Sequence, residues 1–396
     1  MERGTNAAAR AHRTHLLDTR TFVHTYRRLS GQHSEFTMPK CAHALCKNSR
    51  KIGQRCIRLN RQVGTSAIRV TSNCGAAKTA VCRLMINLVL RWQKRDQKRN
   101  RSQMGKVWIE VALNGPWGRE RQPNIPLTVE EIVAEGLAAA DAGAAIIHVH
   151  AYDPATRRQN DQWETYARII EGIRAKADVI VYPTIPLAGS DYASANAQRR
   201  FAHTGELAKR GMLEWTVCDP GSCNFTRFDE IDDLSAGFVY QNPIADIREG
   251  LRLSREYHMH PGYAIYEPGF TRLGASLARA VPGLPTPIYR FMFSDEFAWG
   301  FPPRADHLDA HLRLLADVAP DAPWMVAGLG VDIRALIEPA VERGGHVRVG
   351  LEDAPWRTPL TNRQWVEEAV IGIRKAGGEP ASAQDVRGAL ARIKVT

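Results

Sequence analysis

From Lys106 onward, short runs of apolar and β-branched residues alternate with stretches in which apolar residues recur every three or four positions. The runs at 106–113, 143–150, 179–184, 213–218, 262–266, 288–293, 324–327 and 346–350 predict strands. The stretches between them predict helices. Thr128 and Glu131 form a capping box ahead of Ile132, Val133, Leu137 and Ala140 on one helical face. Further helices are predicted at 166–173, 199–209, 244–257 and around Ser276, then on Leu308, Leu312 and Leu315, at 334–342, and on Trp365, Val366, Val370 and Ile373. Eight strand–helix units within about 290 residues argue for a single (β/α)8 TIM barrel over 105–396, with a parallel sheet. The competing fold is an open doubly wound sheet, but no Gly-x-Gly-x-x-Gly follows the first strand.

Residues 1–104 lack any such period. Residues 1–103 carry 22 Lys or Arg against 4 Asp or Glu, whereas the remainder carries 31 basic and 38 acidic residues. The formal charge of +11 therefore describes neither half. A chain so polar and basic buries too little apolar surface to offset the entropy of ordering it. The abrupt break at Met104 predicts that translation starts there and that the upstream residues are non-coding. The other readings are a basic arm for RNA or DNA, a metal knuckle built from Cys41, His43, Cys46 and Cys56, and a targeting peptide. In the body only Cys218 and Cys223 remain, which gives no disulfide framework and fits a reducing cytosol. The apolar stretch 84–90, broken by Asn87, is far below the ~20 residues of a membrane span. The expectation is a soluble, cytoplasmic protein with no membrane partner and no nucleic-acid role for the body.

The chemistry concentrates at two strand ends. The second run ends in His148-Val149-His150, and alternation along a strand points both imidazoles the same way. The eighth run continues into Arg348-Val349-Gly350-Leu351-Glu352-Asp353, where parity places Arg348, Gly350 and Glu352 on one inward face. In a closed barrel the eighth strand lies two places from the second, roughly 10 Å away at ~4.8 Å per strand. Two His and one Glu with an open fourth position make a catalytic zinc set. Arg348 needs a partner inside the barrel, and Asp353 is the natural one. Such a carboxylate–guanidinium pair beside a metal can orient and deprotonate an acidic C–H.

Several motifs together resemble the β-keto acid cleavage enzymes: Ala-Leu-Asn-Gly at 112–115, Pro-Asn-Ile-Pro-Leu-Thr at 123–128, Gly-Ala-x-x-x-His-x-His at 143–150, Trp-Met-Val-Ala-Gly-Leu-Gly at 324–330, and His-Val-Arg-Val-Gly-Leu-Glu-Asp at 346–353. The resemblance covers about 106–392 and leaves the extension untouched. It implies a zinc barrel that condenses a β-keto acid with acetyl-CoA, giving acetoacetate and a new acyl-CoA. One zinc per chain would be held by His148, His150 and Glu352 and would take the substrate's keto and carboxylate oxygens. Asp353, held by Arg348, would remove the C2 proton. Thr184 would bind the substrate carboxylate, and the relatives imply a homotetramer. Compared with the enzyme that cleaves 3-keto-5-aminohexanoate, Trp117 and Ala264 replace two Glu residues, Val217 replaces a Thr and Leu187 a Gly. The lost carboxylates argue for a neutral or apolar substrate side chain. The rival functions are a zinc hydrolase of the amidohydrolase type, which needs further His after strands five and six, and a metal aldolase that does not need acetyl-CoA.

Overall fold

In the computed structural model, which describes residues 105–153, 155–187, 196–233 and 237–393, the apolar runs become strands close to where they are predicted. In chain order these are β1 Lys106–Val107, β2 Ile109–Ala112, β3 Ile146–Val149, β4 Ile180–Pro183, β5 Trp215–Val217, β6 Cys223–Phe225, β7 Phe238–Tyr240, β8 His260–Ile265, β9 Ile288–Phe293, β10 Trp324–Gly328, β11 His346–Val349 and β12 Glu379–Pro380. Eight of them form one parallel sheet in the order β4-β3-β2-β11-β10-β9-β8-β5, and β4 and β5 adjoin to bring the ends nearly together. Helices such as Val129–Ala142, Trp163–Arg174, Ile244–Glu256 and Asn362–Lys375 fill the crossovers, so the (β/α)8 barrel is the fold. The Thr128–Glu131 capping box is present at the start of the first of these helices. The expectations for residues 1–104 lie outside the described residues.

The strands are buried throughout because helices cover one face and barrel filling the other, so Ile109, Val111, Ile146, Ile147, Ile180, Val181 and Val347 have no exposed surface. Register sets the neighbours that matter below. His148 lies beside Ala112 on one side and Tyr182 on the other, and Arg348 lies beside Glu110.

Three details depart from the sequence expectation. The run 106–113 is two strands, because Trp108 leaves the ladder. Its amide donates to Nδ1 of His346 at 3.2 Å and its indole stacks on that imidazole at 3.9 Å between centroids, while β1 pairs with β12 instead. Burial pushes the His346 pKa down to about 3, which keeps Nδ1 free to accept. The helix expected at 199–209 is split at Phe201 into Ala197–Arg200 and Ala202–Lys209. Finally, the loop after β5 contains an antiparallel hairpin, β6–β7, whose three-residue strands are too short to leave an alternating signature.

Candidate functional site

His148 is the last residue but one of β3 and His150 follows the strand directly, and both rings are buried, 5.2 Å apart and nearly perpendicular. The loop after β2 fixes the second one. Asn114, itself fully buried, accepts from the His150 amide at 3.0 Å and donates to the His150 and Pro126 carbonyls at 2.9 Å each. Glu352 reaches the pair from across β2: its Oε2 lies 3.5 Å from Nε2 of each histidine.

Strand parity does not deliver Glu352. The strand stops at Val349, and Gly350, at φ +131°, turns the chain so that the amides of Asp353 and Ala354 donate back to its carbonyl. The Glu352 amide then bonds to the Ala112 carbonyl at 3.2 Å. A Cβ on Gly350 would stand 2.2 Å from that same carbonyl oxygen. Gly350→Ala therefore combines a left-handed backbone with a clash against main chain. Its expected cost is at least about 3 kcal/mol in urea unfolding; a variant within 1 kcal/mol of the parent would show that the turn relaxes freely.

Arg348 stands behind the three ligand candidates. It grips Asp353 with two parallel bonds of 2.8 and 2.9 Å, donates to Glu110 Oε1 at 2.9 Å and lies 3.0 Å from Glu352 Oε1. Glu110 Oε1 also accepts from Tyr182 at 2.6 Å, and Arg290 stands 3.4 Å away. Arg290 in turn faces Asp219, which accepts from Tyr240 and from the Ala264 amide, each at 2.6 Å. Burial works against the charge on Arg348, but Asp353, Glu352 and Glu110 outweigh it and hold its pKa well above the usual value. Burial likewise opposes charge on Glu352, yet Arg348 and the two histidines hold its pKa well below the usual range. For His148, burial comes first and, with Arg348 and Arg290, outweighs the opposing pull of Glu352, holding its pKa well below the usual value. Asp353 rises to about 6 through burial, against the pull of Arg348 and with a push from Glu352 and Glu110.

The donor set fits a divalent cation. His150 Nε2 and Glu352 Oε2 are buried without a hydrogen-bond partner, and one ligand atom from each of His148, His150 and Glu352 lies within 4.8 Å of the others.

A further chain of contacts orients His150. Its Nδ1 lies 3.0 Å from Gln159 Oε1, and Gln159 Nε2 donates to Asp161 at 2.8 Å. That acceptor makes Nδ1 the protonated nitrogen and leaves the Nε2 lone pair facing the site. If the site holds a divalent ion, Gln159→Leu should weaken its binding by about 10- to 100-fold, read with added zinc in chelator competition, and unchanged affinity would show that Gln159 does not orient His150.

The cavity over these groups has a volume of about 340 Å³ and is lined by all four residues expected to contact substrate, Trp117, Thr184, Leu187 and Val217. Trp117 also donates its indole N–H to the Glu352 carbonyl at 2.8 Å, so it supports the turn as well as lining the cavity. Burial raises the thiols of Cys218 and Cys223, the latter to about 12, which disfavours the thiolate in both. Glu267, two residues beyond β8, accepts from the Gly300 amide at 3.1 Å. The sequence reading missed Glu110, Tyr182, Asp219, Arg290, Asn114 and Gln159. For Glu110 and Arg290 there was a signal: a lone charge inside an otherwise apolar barrel strand has to be paired within the barrel.

A family model described as beta-keto acid cleavage enzyme matches residues 106–391, most of the chain. The chain belongs to the beta-keto acid cleavage enzyme family. A 3-dehydrocarnitine:acetyl-CoA trimethylamine transferase of Rhizobium meliloti is 26% identical over 302 residues, covering 71% of this chain and 95% of that one. A 3-keto-5-aminohexanoate cleavage enzyme of Fusobacterium nucleatum is 29% identical over 291 residues, with coverage of 72% and 97%. Among solved structures, apo ObcA superposes with a TM-score of 0.52 at 16% identity, covering 68% of this chain and 66% of that one, a likeness of fold alone. This family member is thus an enzyme whose relatives are named as cleavage enzymes and acetyl-CoA transferases. No helix among the described residues is long and apolar enough to cross a membrane.

Proposed function

We propose that this chain transfers an acyl group from a β-keto acid to coenzyme A, with acetyl-CoA as cosubstrate and acetoacetate as the second product. The observation that carries the reading is the convergence of His148, His150 and Glu352 on a cavity that is also lined by Arg348, the residue that grips the buried Asp353. A divalent cation, zinc by the 2-His-1-Glu donor set, would supply Lewis acidity and an anchor for the substrate's keto and carboxylate oxygens. Thr184 lines the cavity where its hydroxyl can receive that carboxylate. Asp353 Oδ takes the proton from C2 while Arg348 holds it in line, and the resulting carbanion attacks the acetyl carbonyl of the thioester. Coenzyme A leaves as thiolate and adds to the original keto carbon. The bond between that carbon and C2 breaks, its electron pair stays on C2, and Asp353 returns the proton. Acyl-CoA and acetoacetate leave, with no protein nucleophile consumed or needed.

The test is acetoacetate formation from a β-keto acid that depends on added acetyl-CoA. Consumption of the acid at the same rate without acetyl-CoA would point to a hydrolase or aldolase. The cavity disfavours the hydrolase, since among the described residues His148 and His150 are the only histidines lining it.

A further inference from the structure

One apolar wall of the cavity comes largely from one insertion. The hairpin β6–β7 brings Phe225, Phe238 and Tyr240 to the cavity, where Tyr266, Met292 and Leu329 complete an apolar surface. The rings pack edge to face: Phe225 on Tyr266 at 5.0 Å and 73°, Tyr240 on Tyr266 at 5.4 Å and 71°, and Tyr266 on Trp299 at 4.9 Å and 78°. Their faces are thereby met by neighbouring ring edges rather than opened as a cage for a cation. Phe238 stays 48% exposed at the rim, apolar area that a ligand would take out of water.

The charged groups that reach this wall are already matched. Asp219 has Tyr240, the Ala264 amide and Arg290; Arg290 has Glu110 and Asp219. At the exposed mouth Arg121 stands over Trp117 and Trp356 at 5.9 and 5.7 Å. A second carboxylate or an ammonium set against this wall would therefore bury its charge where, among the described residues, Asp219 and Arg290 already face each other.

We propose that this wall is the side-chain pocket and that it selects 3-oxo acids bearing an uncharged alkyl or aryl-alkyl group. This rests on the reading of the cavity as a β-keto acid site, so binding and turnover are measured apart. Calorimetry on the zinc-loaded full chain without acetyl-CoA compares 3-oxo-5-phenylpentanoate and 3-oxohexanoate with the dicarboxylate 3-oxoadipate and the trimethylammonium acid 3-dehydrocarnitine. The phenyl acid is expected to bind at least about tenfold more tightly than either charged acid, and Phe238→Ala to narrow that ratio about fivefold. Equal or tighter binding of a charged acid, an unmoved ratio in Phe238→Ala, or no binding by any of the four overturns the proposal. Selective binding of the neutral acids without acetoacetate on addition of acetyl-CoA would instead sink the transferase reading and leave the pocket standing.

Discussion

Glu352→Gln should strip the enzyme of both metal and turnover while leaving it folded. The substitution keeps the length of the side chain but replaces the oxygen that lies 3.5 Å from both histidine Nε2 atoms with a neutral amide. Two imidazoles alone then hold the ion, and the negative charge that balances it is gone. Arg348 keeps Asp353 and Glu110, so the buried guanidinium is not left unpaired. Metal content by mass spectrometry should fall from about one ion per chain to about a tenth, and kcat by at least about a thousandfold. Chelator-treated wild type should show the same loss and recover when zinc is returned, whereas the variant should not at equal zinc. Full occupancy together with wild-type turnover in Glu352→Gln would remove the metal centre from the mechanism.

The reach of sequence reading here is set by what periodicity can encode. Eight apolar runs separated by helical patterns suffice for a barrel, because each unit must bury a strand on two faces and a helix on one. The His148–His150 pair is equally legible, since alternation acts over only two residues within one element. Glu352 shows the limit. Parity points it inward, but the strand ends at Val349, and it is the turn at Gly350 that places the side chain. The buried Glu110–Arg348–Tyr182–Arg290 cluster was not seen because its members come from four strands, and their pairing is a property of register around the barrel rather than of any one stretch. The hairpin that shapes the cavity wall was hidden for another reason: three residues per strand are too few to distinguish a ladder from a loop.

Asp353→Asn separates proton removal from metal binding. Asp353 takes two bonds from Arg348 and accepts no bond from the histidines, so its loss leaves the triad of ligand atoms intact. Asparagine preserves the volume and one acceptor for the guanidinium, but it cannot take up a proton at C2. The variant should keep about one metal per chain and lose about 10²- to 10⁴-fold in kcat, the usual share of a positioned general base. Its KM for the β-keto acid should move little, because the carboxylate and keto oxygens are bound elsewhere. The direct measurement is exchange of the C2 protons for deuterium in heavy water, followed by proton NMR with no acetyl-CoA present. Wild type should wash deuterium into C2 before any carbon–carbon bond forms, and Asp353→Asn should not exceed the solvent rate. Arg348→Lys gives the intermediate case, since an ammonium cannot make the two parallel bonds that fix the carboxylate, and exchange should slow without loss of metal. If Asp353→Asn exchanges C2 protons as fast as wild type, another group removes them, and the Arg348–Asp353 pair is left with an electrostatic role alone.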